Sequence, residues 1–512
     1  METIVQDIRY AVRVLARSRG FTFAALLTLA LGIGATTSIF SVLWSVVCEP
    51  LPFRDPSKLM VIWETDPHNG TTSEGGSYPD VKDFQAQSKT FETISGFYSG
   101  NSTITDPPRE AERVPSALAL WDTFKVLGVK PIIGRAFTAA DDVKNAAPVV
   151  IISDELWRRR YNRGAVLDRS IMVDGKPHRV IGVMPPNINV SSEISIWMPF
   201  VAESPEYSMY RGVNSVLVIG RLAPGATRES AQAEMSGVMA RMGKINADDA
   251  GRGVRVEALH EAVVGGARSR LLMLGGAVLL VLLIGCINVA GLMLARANAR
   301  SREFAIRTSL GASRGRVARQ LFIESLVLSF AGALLGIAFT VVATKVLVSM
   351  LPGLPRAETI GLNAPVLAFA IVTAMVSAIL FGLAPALRAA KSGPFADLRG
   401  RAHDPRKSFG RSVLVVVELA LAMVLVAGAA LFLTSLQRLL SVDPGFRTDH
   451  VLTASIELPS ATYPPPGRKE YPKWPRATNF FDELLGKLRA TPGVENAALG
   501  MMHPFGAGWT TQ

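Results

Sequence analysis

Cysteine is almost missing from this 512-residue chain. Cys48 sits just past the end of one uncharged run and Cys286 inside another, so no disulfide framework is expected to hold the fold. Histidine is sparse as well: the six are scattered without metal-ligand spacing. The stretch "HEAVV" at 260–264 places Val264 where a zinc-protease helix needs its second histidine. No metal site is legible. A Gly-x4-Gly-Lys-Ser/Thr phosphate loop is also lacking, so these residues are not expected to bind ATP by that route.

Charge is absent in long blocks. Residues 21–47, 271–295 and 365–387 carry none, and residues 321–344 and 412–437 carry one acid each, Glu324 and Glu418. Each block matches or exceeds the roughly 20 residues that an α-helix needs to cross about 30 Å of hydrocarbon. The first is too long for a signal-peptide core. A mean hydropathy of +0.28 alongside 19% charged residues points to membrane helices combined with a water-exposed domain. The expected fold is an α-helical transmembrane bundle of about five spans, with a large α+β domain inserted between the first and second.

Basic residues gather where the apolar runs stop. The stretch "RANARSREFAIRTSLGASRGRVAR", residues 296–319, holds seven arginines and one glutamate, with no lysine or aspartate. With the N-terminus inside, segments 1–20, 296–320 and 388–411 carry +2, +6 and +5, while the whole chain carries +12. Everything else therefore nets close to zero, the asymmetry that the positive-inside rule requires. The arginines are topological first, and nucleic acid is not expected as a partner; membrane lipid is. The inferred order is an inside segment 1–20, spans at 21–47 and 271–295 flanking the outside domain 48–270, and an inside loop 296–320. Spans at 321–349 and 365–387 follow, joined by a short outside loop 350–364. An inside linker 388–411 then leads to a fifth span, 412–437, and outside sequence 438–512.

The inserted domain has α+β texture. β-rich runs occur at 59–63, 148–153, 169–175, 178–184 and 215–222, and helical stretches at 153–163 and 227–243, the latter with Thr227 as N-cap after Pro224-Gly225. "VDGKPHRV" reads as a hairpin turning at Asp174-Gly175. No nucleophile-base, paired-carboxylate or phosphate-loop constellation is present, which favours binding or force transmission over catalysis. After residue 388 the order of basic segment, span and outside sequence starts again, so an internal repeat is expected, with residues 438–512 opening a second domain. So short a start buries too little apolar surface to offset its ordering entropy. We therefore expect 438–512 to be marginally stable alone and the natural protein to continue through a second domain and three more spans.

The segment "REFAIRTSLGASRGRVARQLFIESLVLSFAGALLGI" resembles the signature of MacB/FtsX-type ABC transporter permeases. The matching positions are Arg302, Glu303, Ile306, Arg307, Leu310, Gly311 and Ala312, then Glu324, Ser325, Gly332 and Gly336. The stretch "ISDELWRRRYNRGAVLDRSIMVDGKPHRVIGVMPP" resembles that family's periplasmic core domain, and the layout resembles its duplicated orphan-permease branch. The resemblance implies a multi-pass protein of the bacterial inner membrane with a cytoplasmic N-terminus. It also implies that the chain itself binds no cofactor and has no enzymatic activity of its own, ATP being hydrolysed on a separate ABC ATPase subunit. A periplasmic adaptor or substrate, and a dimer or pseudo-dimer of permease units, are the further implied partners. The implied function is efflux or mechanotransmission; lipoprotein release, control of a cell-wall hydrolase, and a membrane-anchored sensor without ATPase are the alternatives.

The resemblance places a coupling helix between the second and third spans, made of Arg302, Glu303, Phe304, Ile306, Arg307, Leu310 and Gly311. Its arginines suit an acidic rim, Phe304, Ile306 and Leu310 offer apolar anchors, and Gly311 suits a left-handed C-cap. The plainer alternative is a solvated loop whose arginines only set topology. Within the membrane three polar residues stand out. Glu324 is expected to pair with Arg319 or another nearby arginine, Glu418 lies deeper and needs a partner or a proton, and Asn288 is read as interhelical glue. Gly332-x3-Gly336 is read as a packing feature.

Overall fold

The computed structural model describes residues 2–300 apart from 189, 191, 192 and 206. It further describes 303, 306, 313–350, 359–391, 405–442, 450–454, 456, 458, 463 and 474–500. The chain divides into two compact units, one from residues 1–50 with 264–443 and the other from 51–263 with 444–512.

In the first unit the uncharged runs are helices. Five are long and apolar enough to span a membrane: Arg19–Cys48, Leu259–Ala299, Gly315–Met350, Ala364–Gly382 and Val415–Leu440. Small residues bring the first and third spans into backbone contact. A Cβ on Gly34 would lie 2.8 Å from the Gly336 carbonyl oxygen, and one on Gly332 would lie 2.7 Å from Leu29 Cβ. The Thr340 hydroxyl lies 3.1 Å from the Gly34 carbonyl and 2.9 Å from that of Gly336. The packing reading of the Gly332-x3-Gly336 pair thus has a specific partner, the first span. The fourth span joins through Ser329, whose hydroxyl donates to the Ala374 carbonyl at 2.6 Å, and through Phe40 and Phe369 stacked at 3.9 Å. Leu29, Ile33, Leu282, Val289, Leu328 and Phe381 fill the space between these four helices. The fifth span contributes no buried residue among those described.

The second unit is built on one sheet. Its strands are β1 (Leu59–Asp66), β2 (Thr71–Glu74), β3 (Phe91–Asp106), β4 (Arg109–Ala119), β5 (Ile133–Gly134) and β6 (Val149–Ser153). They continue with β7 (Ser170–Val173), β8 (Lys176–Met184), β9 (Ile196–Pro199), β10 (Leu217–Leu222) and β11 (Gly253–Ala258). Among the described residues the order is β11-β1-β10-β3-β4-β9-β6-β8-β5, with β2 on β1 and β7 on β3 and β8. Successive strand residues face opposite ways, and here both faces are covered. Leu59 and Val61 enter one core while Met60 and Ile62 enter another, and Val149 and Ile151 part from Val150 and Ile152 in the same manner. That double burial is why "LMVIW" and "VVIIS" read as continuous apolar runs.

The hairpin at Asp174-Gly175 forms as read. Val173 pairs with Lys176, and both turn residues have positive φ, 50° and 81°, the conformation that a two-residue primed turn demands. The two helices also have caps supplied by the sequence: Ser153 accepts from the Leu156 amide and Thr227 from that of Ser230.

Glu64 is the anomaly of this unit. It is fully buried in β1 with Arg252 Nε 3.3 Å from one oxygen, yet neither oxygen has a hydrogen-bond partner among the described residues. Burial first, then the charge of Asp80, push its carboxyl well above the ordinary 4.5, against the pull of Arg252. The folded chain therefore keeps a proton that the unfolded chain releases, and stability falls as pH rises from that ordinary value through the folded one. Glu64→Gln keeps the shape and removes the titration. Its thermal unfolding temperature, followed from about pH 5 to about pH 8, should vary less than that of the parent and lie above it at the alkaline end. Parallel curves for the two proteins would mean that Glu64 is ionised in the fold.

Candidate coupling site at the basic end of the spans

The N-terminal helix, Glu2–Arg17, breaks at Ser18, whose φ and ψ of −108° and 63° are not helical, before the first span begins at Arg19. Side chains at the break occupy the carbonyls that lose their helical partners. The Ser18 hydroxyl donates to the Val14 carbonyl at 3.1 Å and the Thr22 hydroxyl to that of Leu15 at 2.8 Å. One face of the short helix, with Ala11 and Leu15 buried, packs on the third span.

Around this corner the polar residues converge on Arg300, just beyond the second span. Its Nε donates to Glu303 at 3.0 Å, one terminal nitrogen donates to Glu324 at 3.2 Å, and the other to the Tyr10 hydroxyl at 3.1 Å. Tyr10 in turn donates to the second Glu303 oxygen at 3.3 Å. Burial works against the Arg300 charge, but Glu303 and Glu324 more than offset it and hold its pKa above the ordinary arginine value. Beside this centre, Arg319 pairs with Asp7 at 2.8 Å, and Arg296 donates to the Val14 carbonyl at 2.9 Å while lying over the Phe21 ring.

Glu324 is 1% exposed, and a carboxylate so placed needs a compensating charge. The partner is Arg300, not Arg319. Arg319 precedes Glu324 by five residues on one helix, whereas side chains meet at three or four; Arg319 therefore turns to Asp7. Gln320, four residues before Glu324, does reach it, at 3.4 Å.

Of the proposed coupling residues, Glu303 is partly buried in this cluster and Ile306 is 60% exposed. Arg302, Phe304, Arg307, Leu310 and Gly311 lie outside the described residues. Asn288 is exposed and has no hydrogen bond among the described residues, so the glue reading finds no partner there. Its position on the helix turns it away from the core that Cys286, Val289 and Ala290 enter. Glu418 is partly buried and likewise has no polar partner among the described residues.

Sequence reasoning missed Asp7, Tyr10, Arg296 and Arg300 as members of the site. A signal was available: residues 2–17 alternate apolar and polar positions at the helical period, which marks a helix that needs a surface to lie on. Among the described residues, the arrangement has no nucleophile or paired general acid and base. Mechanically, it ties the N-terminal helix and the ends of two spans to the start of the basic segment.

Two family models match the chain in tandem: the MacB-like periplasmic core domain over residues 22–238 and the FtsX-like permease C-terminal over residues 275–394. Among similar curated proteins, the uncharacterized ABC transporter permease YknZ of Bacillus subtilis is 28% identical over 52% of this chain and 65% of its own length. The macrolide export ATP-binding/permease protein MacB of Neisseria meningitidis is 26% identical over 53% of this chain and 41% of its own. The chain thus spans less than half the length of the MacB relatives it matches. The solved periplasmic region of MacB from Actinobacillus actinomycetemcomitans aligns with 41% of the chain at 12% identity and a TM-score of 0.33. A multi-pass helical bundle carrying the FtsX-like match, with a sheet-based α+β unit carrying the MacB-like one, makes this chain a member of the MacB/FtsX-type ABC transporter permease family.

Proposed function

We propose that this chain is the membrane-spanning subunit of an ABC-type efflux or mechanotransmission system, converting ATP hydrolysis on a partner ATPase into movement of its α+β unit. The observation that carries this reading is the Arg300 cluster. It fastens the first turn of the basic segment, through Glu303, to the third span through Glu324 and to the N-terminal helix through Tyr10. A push arriving at Glu303 would be passed on to those elements, because charge-assisted bonds resist separation. Glu303 and Ile306, one facing inward and one exposed, fit a segment with an anchored side and a docking side. The chain itself would hold no cofactor; ATP would stay on the partner. Permease units would work as a dimer or pseudo-dimer, and an adaptor or substrate would meet the α+β unit.

Replacing Arg302, Ile306 and Arg307 together with alanine should weaken ATPase association by at least tenfold, about 1.4 kcal/mol, while leaving membrane insertion intact. Undiminished pull-down of the ATPase by the triple variant would refute docking at this segment.

The same reading puts the N-terminus in the cytoplasm of a bacterial cell and the α+β unit in the periplasm. The support is the arginine excess on 1–20, 296–320 and 388–411. A cysteine placed at Asp174 should then react with an impermeant maleimide once the outer membrane is permeabilised. Labelling that requires an opened inner membrane would reverse the topology.

A further inference from the structure

Only one face of the N-terminal helix is used by the Arg300 cluster and the third span. Among the described residues, the exposed remainder divides in two. Val5, Ile8 and Val12 are 55%, 43% and 52% exposed and recur at three- and four-residue steps, so they form one apolar stripe. Beside it, Arg9, Arg13 and Arg17 make an exposed row with one arginine per turn. Among the described residues these three arginines have no ion-pair partner. Asp7 faces the other way, to Arg319.

In water this surface is doubly unfavourable. The stripe stays wet, and like charges four residues apart repel along the row. A negatively charged bilayer surface relieves both: the stripe enters the acyl boundary and the row meets headgroup phosphates. The bilayer is also within reach, because Ser18 alone separates this helix from the first span. Asp7, held on the opposite face by Arg319, keeps the helix from rolling the arginines away.

We infer that the N-terminal helix is a binding site for anionic phospholipids, with Arg9, Arg13 and Arg17 holding the headgroup phosphates and Val5, Ile8 and Val12 inserted beneath them. An acidic protein rim would satisfy the arginines but leave the stripe exposed, so lipid is the occupant that the geometry favours. The inference does not depend on any ATPase.

The test uses the full chain with Cys48 and Cys286 replaced by serine and a fluorophore on Val12→Cys. It is reconstituted in phosphatidylcholine vesicles with or without phosphatidylglycerol, each with bromine-labelled acyl chains. Emission should be strongly quenched with phosphatidylglycerol, weakly without it, and added salt should abolish the difference. Each arginine is expected to contribute about fivefold to docking, so Arg→Gln at all three should lower the docked-to-undocked ratio on the order of a hundredfold. Arg→Lys at all three should retain most of it. Equal quenching in both vesicles would reduce the helix to an apolar anchor and overturn the headgroup site. Absence of quenching in both would overturn the site altogether. Dissolved inorganic phosphate that abolishes quenching at matched ionic strength would identify a free-anion site instead. Should the glutamine variant aggregate, the comparison of the two lipids with the arginines intact still decides.

Discussion

Arg300→Met is expected to be among the most damaging single changes in the membrane unit, at about 3–5 kcal/mol, because it removes the guanidinium bonded directly to the buried Glu324 carboxylate. Glu324 is 1% exposed, and Gln320 at 3.4 Å is a neutral donor that cannot replace a guanidinium. The informative experiment pairs the two sites. Glu324→Met alone should cost less, since Arg300 retains Glu303 and the Tyr10 hydroxyl, and the double Met variant should recover most of what Arg300→Met loses. Thermal unfolding in detergent, with the two singles and the double side by side, gives the coupling directly. Strict additivity would show that the pair contributes nothing, and the mechanical tether proposed for the basic segment would lose its anchor.

Gly336→Leu should separate the first and third spans. A Cβ there would already lie 3.0 Å from the Gly34 nitrogen and 3.1 Å from the Ala30 carbonyl oxygen. Both are backbone atoms, so no rotamer change relieves the clash. Overpacking of a fitted core costs about 1–3 kcal/mol, and here the helices must also part, which removes the Thr340 hydroxyl from the Gly34 carbonyl. The expected result is a lowered unfolding temperature and loss of a monodisperse species in detergent. Gly276→Leu is the control: it lies in the second span, and a Cβ there would meet nothing within 4 Å. Similar behaviour of the two variants would mean that the clash is absorbed without disturbing the bundle.

Local chemistry was the legible part of this chain. The five apolar runs became helices because backbone groups in hydrocarbon must be satisfied within the segment. Asp174-Gly175 became a primed turn because glycine, and aspartate to a lesser degree, accept positive φ. Ser153 and Thr227 became caps because a hydroxyl before a helix can accept from its free amides. The hairpin of β3 and β4 went unread for the same local reason. "FETISGFYSGNSTITD" is laced with glycine, serine and asparagine, which ordinarily signal turns. Gly96 is nonetheless a strand residue, required because a Cβ would lie 2.6 Å from a Val216 methyl on a neighbouring segment.

The candidate site shows where local reading ends. The sequence by itself determined that arginines would collect at the ends of apolar helices, that Glu324 would need a cation, and that the family signature would fall on residues 302–336. Which arginine Glu324 takes was decided by the tertiary structure. Arg319 is nearer in sequence but five residues away on the same helix, while Arg300 arrives from beyond the end of another. Asp7 and Tyr10 joined the site only because the helix break at Ser18 allows the N-terminal helix to lie on the third span. Composition and periodicity act within a few residues, where neighbours are fixed by the helical or strand repeat. The pairing of charges from remote segments depends on which helix faces meet, and that is settled by side-chain volume, here by the glycines at 34, 332 and 336 that let the spans touch.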